Sequence, residues 1–195
     1  THYLRFTLGV LIGAVSMATY QTMTAPPLAE HAHETAEYHS HADFLLVAAD
    51  DRIDLSAERY MSDGAQLLHP HVHLHNGNQN VIHFHSPGIT IGTFLTSLGF
   101  SVTPECVTTD QNMEYCNDDT ATWQLYVDGD AVLDTPWPTY VPADEDRIVL
   151  YYGNQTETAV APVLAAVSAD ACIYSLTCPE RGTPPPESCG LTCEI

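Results

Sequence analysis

The sequence predicts an α+β domain built on a mixed sheet, and three observations carry that prediction. Short apolar runs of strand length occur at DFLLVAAD (43–50), WQLYV (123–127) and RIVLYY (147–152). A single short helical segment, Thr93–Leu98, is stopped by Gly99. Two alternating runs, Leu68–His75 and Asn80–His85, flank Asn76-Gly77-Asn78-Gln79 and signal a hairpin. The expected organisation is an apolar N-terminal helix over 1–24, a linker over 25–38, an α+β domain over 39–171 and a Cys/Pro-rich irregular tail over 172–195.

Taken in order, Phe6–Met23 is uncharged and largely apolar. As a helix it would reach about 27 Å, close to the hydrocarbon thickness of a bilayer. Arg5 precedes it and the next basic residue is Arg52. The positive-inside rule then leaves the N-terminus in the cytoplasm and puts the main domain in a periplasmic or extracellular space. A cleaved signal peptide, using Arg5 and the small pair Ser16/Ala18, competes with the retained single-pass anchor, and both export the domain. The linker is small, polar and Pro-containing. Strand 43–50 ends at Asp51-Arg52; further strands are expected at Ser101–Thr103 and, beyond an Asp128-Gly129-Asp130 turn, at Ala131–Leu133. Glu157–Asp170 reads as a helix with Pro162 near its first turn. The ending CPERGTPPPESCGLTCEI cannot be regular structure.

The fragments ITIGTFLTSLG and WQLYVDGDAV…YVPADEDRIVLYYG, over about residues 82–152, resemble the β-grasp (ubiquitin-like) binding modules. The second is similar to their ending of strand, Asp-Gly turn, acidic turn, Arg-Ile and final strand. That resemblance implies a mixed-sheet scaffold for binding and no particular catalysis.

Charge removes several functions. Against 25 acidic residues stand five arginines and no lysine, for a net charge of −20. Protonating all 11 histidines would leave the chain strongly negative. Phosphate backbones are bound by Lys/Arg neutralisation, so nucleic acid is not a partner. An anionic membrane surface is equally unsuited. Cations are favoured instead.

The six cysteines fit an exported, disulfide-bonded chain. Cys106 and Cys116 are the natural local pair. Cys172, Cys178, Cys189 and Cys193 have three possible connectivities, and their spacings are poor for a zinc finger.

The histidines carry the functional reading. Residues 69–85, HPHVHLHNGNQNVIHFH, place His69, His71, His73, His75, His83 and His85 at odd positions. Successive strand residues face opposite ways, so these imidazoles share one face while Val72, Leu74, Ile82 and Phe84 share the other. Burying the apolar set together requires directly paired numbers with an even sum. A two-residue Asn76-Gly77 loop would break that rule; pairing 75 with 81 satisfies it and sets His73 opposite His83 and His71 opposite His85. Opposed Cβ atoms lie about 4.5–5.5 Å apart, close enough for two imidazoles to share one ion. His39-Ser40-His41 repeats the pattern and joins the set if strand 43–50 lies alongside. Asp43 and Asp63 are candidate carboxylates to orient the rings. His31 and His33 fall in the linker and His2 in the N-terminal flank.

Imidazole suits copper and zinc, with copper slightly favoured on intrinsic affinity. No phosphate loop, nucleophile elbow, Cys/His pair or calcium loop is present, so no enzyme is assigned. A metalloenzyme, the third reading, would need an open coordination position and a positioned acid or base, and the sequence names no such base. The expected function is a membrane-anchored, extracytoplasmic metal-binding protein that handles or delivers the ion. The rival is a single-span accessory subunit of a larger membrane complex, suggested by the small residues Gly9, Gly13, Ala14 and Ala18.

Overall fold

The computed structural model describes residues 38–49, 51–62 and 66–186. The chain divides into two units, Thr1–Ala36 and Glu37–Ile195, and all described residues lie in the second. The expected anchor, nearly all of the linker, Asp63, Cys189 and Cys193 lie outside the described residues.

The elements are β1 (Ser40–Ala48), β2 (Asp51–Arg52), β3 (Val72–His73), β4 (Val81–Phe84), α1 (Ile91–Ser97), β5 (Ser101–Val102), β6 (Cys106–Thr108), β7 (Glu114–Cys116), β8 (Thr122–Val127), β9 (Asp130–Ala131), β10 (Arg147–Gly153), α2 (Glu157–Ala166) and α3 (Ala171–Tyr174). The fold is mixed α+β and mostly sheet. The large sheet has the order β3-β4-β1-β10-β8-β9, with β2 against β1; a second sheet is β5-β6-β7. At its centre β1 runs parallel to β10, with Phe44 beside Ile148 and Leu46 beside Leu150. All nine residues of β1 are buried, as a strand covered on both faces requires.

Even-numbered residues of β1, β4 and β10, with odd-numbered residues of β8, form one core. Ala42, Phe44 and Leu46 of β1, Ile82 and Phe84 of β4, and Ile148 and Leu150 of β10 pack there with Leu125 and α1. The helix starts at Ile91, two residues before the predicted start, because the Thr90 hydroxyl accepts from the Thr93 backbone N–H at 3.1 Å and caps it. Phe94 meets Phe44 edge to face at 5.3 Å. The predicted stop holds: Gly99 has φ +87°, a conformation that costs glycine nothing.

On the odd-numbered face, Leu45, Val47, Val149 and Tyr151 pack with Val160 and Val167 under α2. That helix ends at Ala166 rather than Asp170. Arg147 donates to the carbonyls of Ser168 (2.9 Å) and Val167 (3.0 Å), which fixes the chain as it leaves the helix. Pro162 sits inside the helix, beyond the first turn where it was expected. By length and composition, Glu157–Tyr174 is the one described segment apolar enough to cross a membrane, with mean hydropathy 1.3. It is interrupted between α2 and α3, and its buried residues cover the sheet.

Three expectations change. Of the predicted 131–133 strand only Ala131 pairs against β8, joined by Asp130 from the expected turn. The second sheet extends well beyond Ser101–Thr103: Cys106 lies directly opposite Cys116 and is disulfide-bonded to it. The segment from 172 is not uniformly irregular. Cys172–Tyr174 belongs to α3, and the Cys172–Cys178 disulfide closes the loop that follows.

Candidate metal centre

The hairpin register is the one the apolar pattern demands, with Val72 opposite Phe84 and His73 opposite His83. The backbone N–H of His85 also reaches the carbonyl of His71 at 2.9 Å. The turn itself is tight. Asn76 (φ +58°) and Gly77 (φ +68°) are both left-handed, and Asn78 N–H donates to the His75 carbonyl at 3.0 Å. Strand pairing resumes only at β3 and β4, so a narrow turn coexists with the wider register. Leu74 leaves the β4 ladder and bridges to Met61 instead.

β1 lies beside β4, and His41 is directly opposite His83. The His-x-His of residues 39–41 therefore joins the hairpin face. Three imidazoles, from His39, His41 and His83, have ligand atoms all within 4.8 Å of one another. Ring centroids are 4.6 Å apart for His39–His41, 4.7 Å for His41–His83 and 6.4 Å for His39–His83, so His41 is the middle ring. His41 and His83 are buried and His39 is exposed, giving the cluster a buried floor and an open side.

Further histidines extend it. His75 Nε2 is 3.2 Å from His83 Nδ1, with ring centroids 3.9 Å apart. His85 lies 4.5 Å from His39 and 4.8 Å from His73. Thus His39, His41, His73, His75, His83 and His85 form one connected group. His71 is exposed and His69 half-buried; their rings stand edge to face at 6.0 Å, and His71 N–H donates to His69 Nδ1 at 3.1 Å. Burial, then the neighbouring His71, hold the His69 imidazole below its ordinary pKa.

The wall of the cluster comes from a part of the chain that residue patterns did not connect to it. Tyr174 of α3 stands edge-on to His83 at 4.9 Å and lies 5.6 Å from His41. Its hydroxyl accepts from Asn78 Nδ2 at 3.0 Å. Ser175 Oγ is 2.9 Å from His41 Nδ1 and donates to Asp144 Oδ1 at 2.7 Å. The same Asp144 oxygen accepts from the His41 backbone N–H at 2.9 Å. Asp43 orients α3 rather than a ring. Its carboxylate accepts from the Asp170 N–H (2.8 Å), the Ala171 N–H (3.1 Å) and the Ser168 hydroxyl. Nothing in the local sequence at 174–175 marks these residues. The bracketing Cys172 and Cys178 were the available signal that the segment is held in place.

The donor set fits a borderline transition-metal ion: clustered nitrogen ligands on stiff strands, with no thiolate among them. A His-rich group here can hold a transition metal, and the described domain carries two disulfides. No family model matches the chain, and neither a curated protein nor a solved structure matches it.

Proposed function

We propose that this is an extracytoplasmic protein that binds Cu(II) or Zn(II) through His39, His41 and His83, for handling or delivery of the ion. The observation that carries the reading is the convergence of those three imidazoles, from β4, from β1 and from the residue just before β1. The half-open cluster favours exchange over permanent burial, since His39 offers a route to solvent. Copper is favoured slightly, because a divalent copper ion binds a given nitrogen set more tightly than zinc. The two disulfides support an oxidising compartment, and the acid excess supports local enrichment of cations. Anchoring by the apolar segment Phe6–Met23, N-terminus inside, belongs to the same proposal. The strand order β4-β1-β10-β8-β9, with first and last central strands parallel and α1 between β4 and β8, supports a β-grasp scaffold.

Elemental analysis and metal titration of the full chain test the reading. Wild type is expected to hold stoichiometric metal, and His41→Ala/His83→Ala to hold none while still folding. A wild type that takes up neither ion refutes the proposal. Purification in detergent tests the anchor, and recovery only within a larger assembly would favour the accessory-subunit role instead.

A further inference from the structure

We infer that Ser175 and Asp144 are positioning residues which fix His41 as an Nε2 ligand, so that the α3 loop belongs to the metal centre. This rests on the metal-binding reading of His41. Ser175 Oγ sits between His41 Nδ1 (2.9 Å) and Asp144 Oδ1 (2.7 Å). A carboxylate oxygen only accepts, so the serine proton points to Asp144. Ser175 must then accept from His41, which requires the proton on Nδ1. That leaves the Nε2 lone pair for an ion. Carboxylate-linked hydrogen bonds of this kind fix the tautomer and aim the ring.

The relay also has structural backing at each end. Asp144 is tied to β1 through the His41 N–H, and Glu145 N–H donates to the His41 carbonyl at 2.7 Å. Ser175 follows α3, whose start is held by Asp43 and whose following loop is closed by Cys172–Cys178. Tyr174, one residue before, closes over His41 and His83. His83 receives a parallel arrangement from His75 through its Nδ1. Both buried members of the trio thus engage a neighbour at Nδ1.

The test uses the full chain as wild type, Ser175→Ala and Ser175→Thr, with zinc as the probe. Affinity is measured by competition titration, and the His41 ring tautomer by nitrogen-15 NMR of the metal-free and zinc-loaded forms. Ser175→Ala is expected to lose about 10–100-fold in zinc affinity. Its metal-free His41 should become a mixture of tautomers, while Ser175→Thr restores affinity and the Nδ1–H form. A merely structural role would not move the tautomer. Equal affinity and an unchanged ring spectrum in Ser175→Ala overturn this inference and leave the metal site standing. Should the variant fail to fold, wild type alone decides, because Nε2–H on metal-free His41 overturns the relay. A wild type that binds no zinc overturns both readings.

Discussion

The two faces of the large sheet come from alternate residues of the same strands, yet they carry different chemistry. The even-numbered face is apolar along β1, from Ala42 through Phe44 and Leu46 to Ala48. The odd-numbered face changes character within one strand. His41 faces the imidazole cluster, Asp43 holds the start of α3, and Leu45 and Val47 pack under α2. Strand β10 repeats the contrast, with Ile148 and Leu150 in the core and Arg147 reaching the exit of α2. One face is therefore a continuous source of stability. The other divides its buried area between a smaller apolar cluster under α2 and polar groups, His41 and Asp43, held in fixed positions. That division lets the domain keep buried imidazoles without weakening its main core.

The sharpest break of that contrast is a core truncation. Leu150→Ala is expected to cost about 2–5 kcal/mol in urea unfolding, through lost burial plus a residual cavity. Metal affinity of the folded fraction should be unchanged. A loss below 1 kcal/mol would show that the even face is not the main core. Metal itself should act only through the odd face. Zinc at a hundred times its dissociation constant is expected to add about 2.7 kcal/mol to wild type, and chelation should remove it. His41→Ala/His83→Ala should show no such gain.

Asp43 joins the two roles. Asp43→Ala leaves the Asp170 and Ala171 N–H groups without their carboxylate, and is expected to cost roughly 1–3 kcal/mol. It should also weaken zinc binding, because α3 then carries Ser175 and Tyr174 less firmly; unchanged binding would separate α3 from the site. His71→Ala sharpens the boundary of the cluster. The ring is exposed and paired with His69, so less than about a twofold change in zinc affinity is expected from this surface substitution.

The smallest effect is remote from both faces. Hydrogen bonds from the Thr120 hydroxyl and the N–H groups of Thr120 and Ala121 hold the Asp118 carboxyl below the usual range. Because its folded pKa is depressed, its contribution is present above the unfolded value of about 3.9 and is lost as pH falls through the folded one. Asp118→Ala should lower the melting temperature slightly at neutral pH and progressively less on acidification. A deficit that grows with acid would contradict the assignment.

Much of this was legible from residue order. Alternation alone settled which hairpin residues share a face, and the need to bury Val72, Leu74, Ile82 and Phe84 together selected the pairing of His73 with His83. Thr93–Leu98 with Gly99, and the strands at 123–127 and 147–152, were readable because apolar run length and a glycine stop are local signals. Local pairing of Cys106 with Cys116 followed from proximity in the chain.

What tertiary structure decided was which distant segments met. Sequence showed that His39 and His41 shared a strand pattern, but only the pairing of β1 with β4 placed His41 opposite His83. His71, equal to the others by periodicity, falls outside the cluster because it precedes β3 and its ring is exposed beside His69. Tyr174 and Ser175 lie far beyond the hairpin in the chain, and their partners are set by packing of α3 against β1. Periodicity is a property of neighbours along the chain, so it fixes faces. Choosing contacts between faces requires the free energy of the whole packed domain, which no local pattern contains.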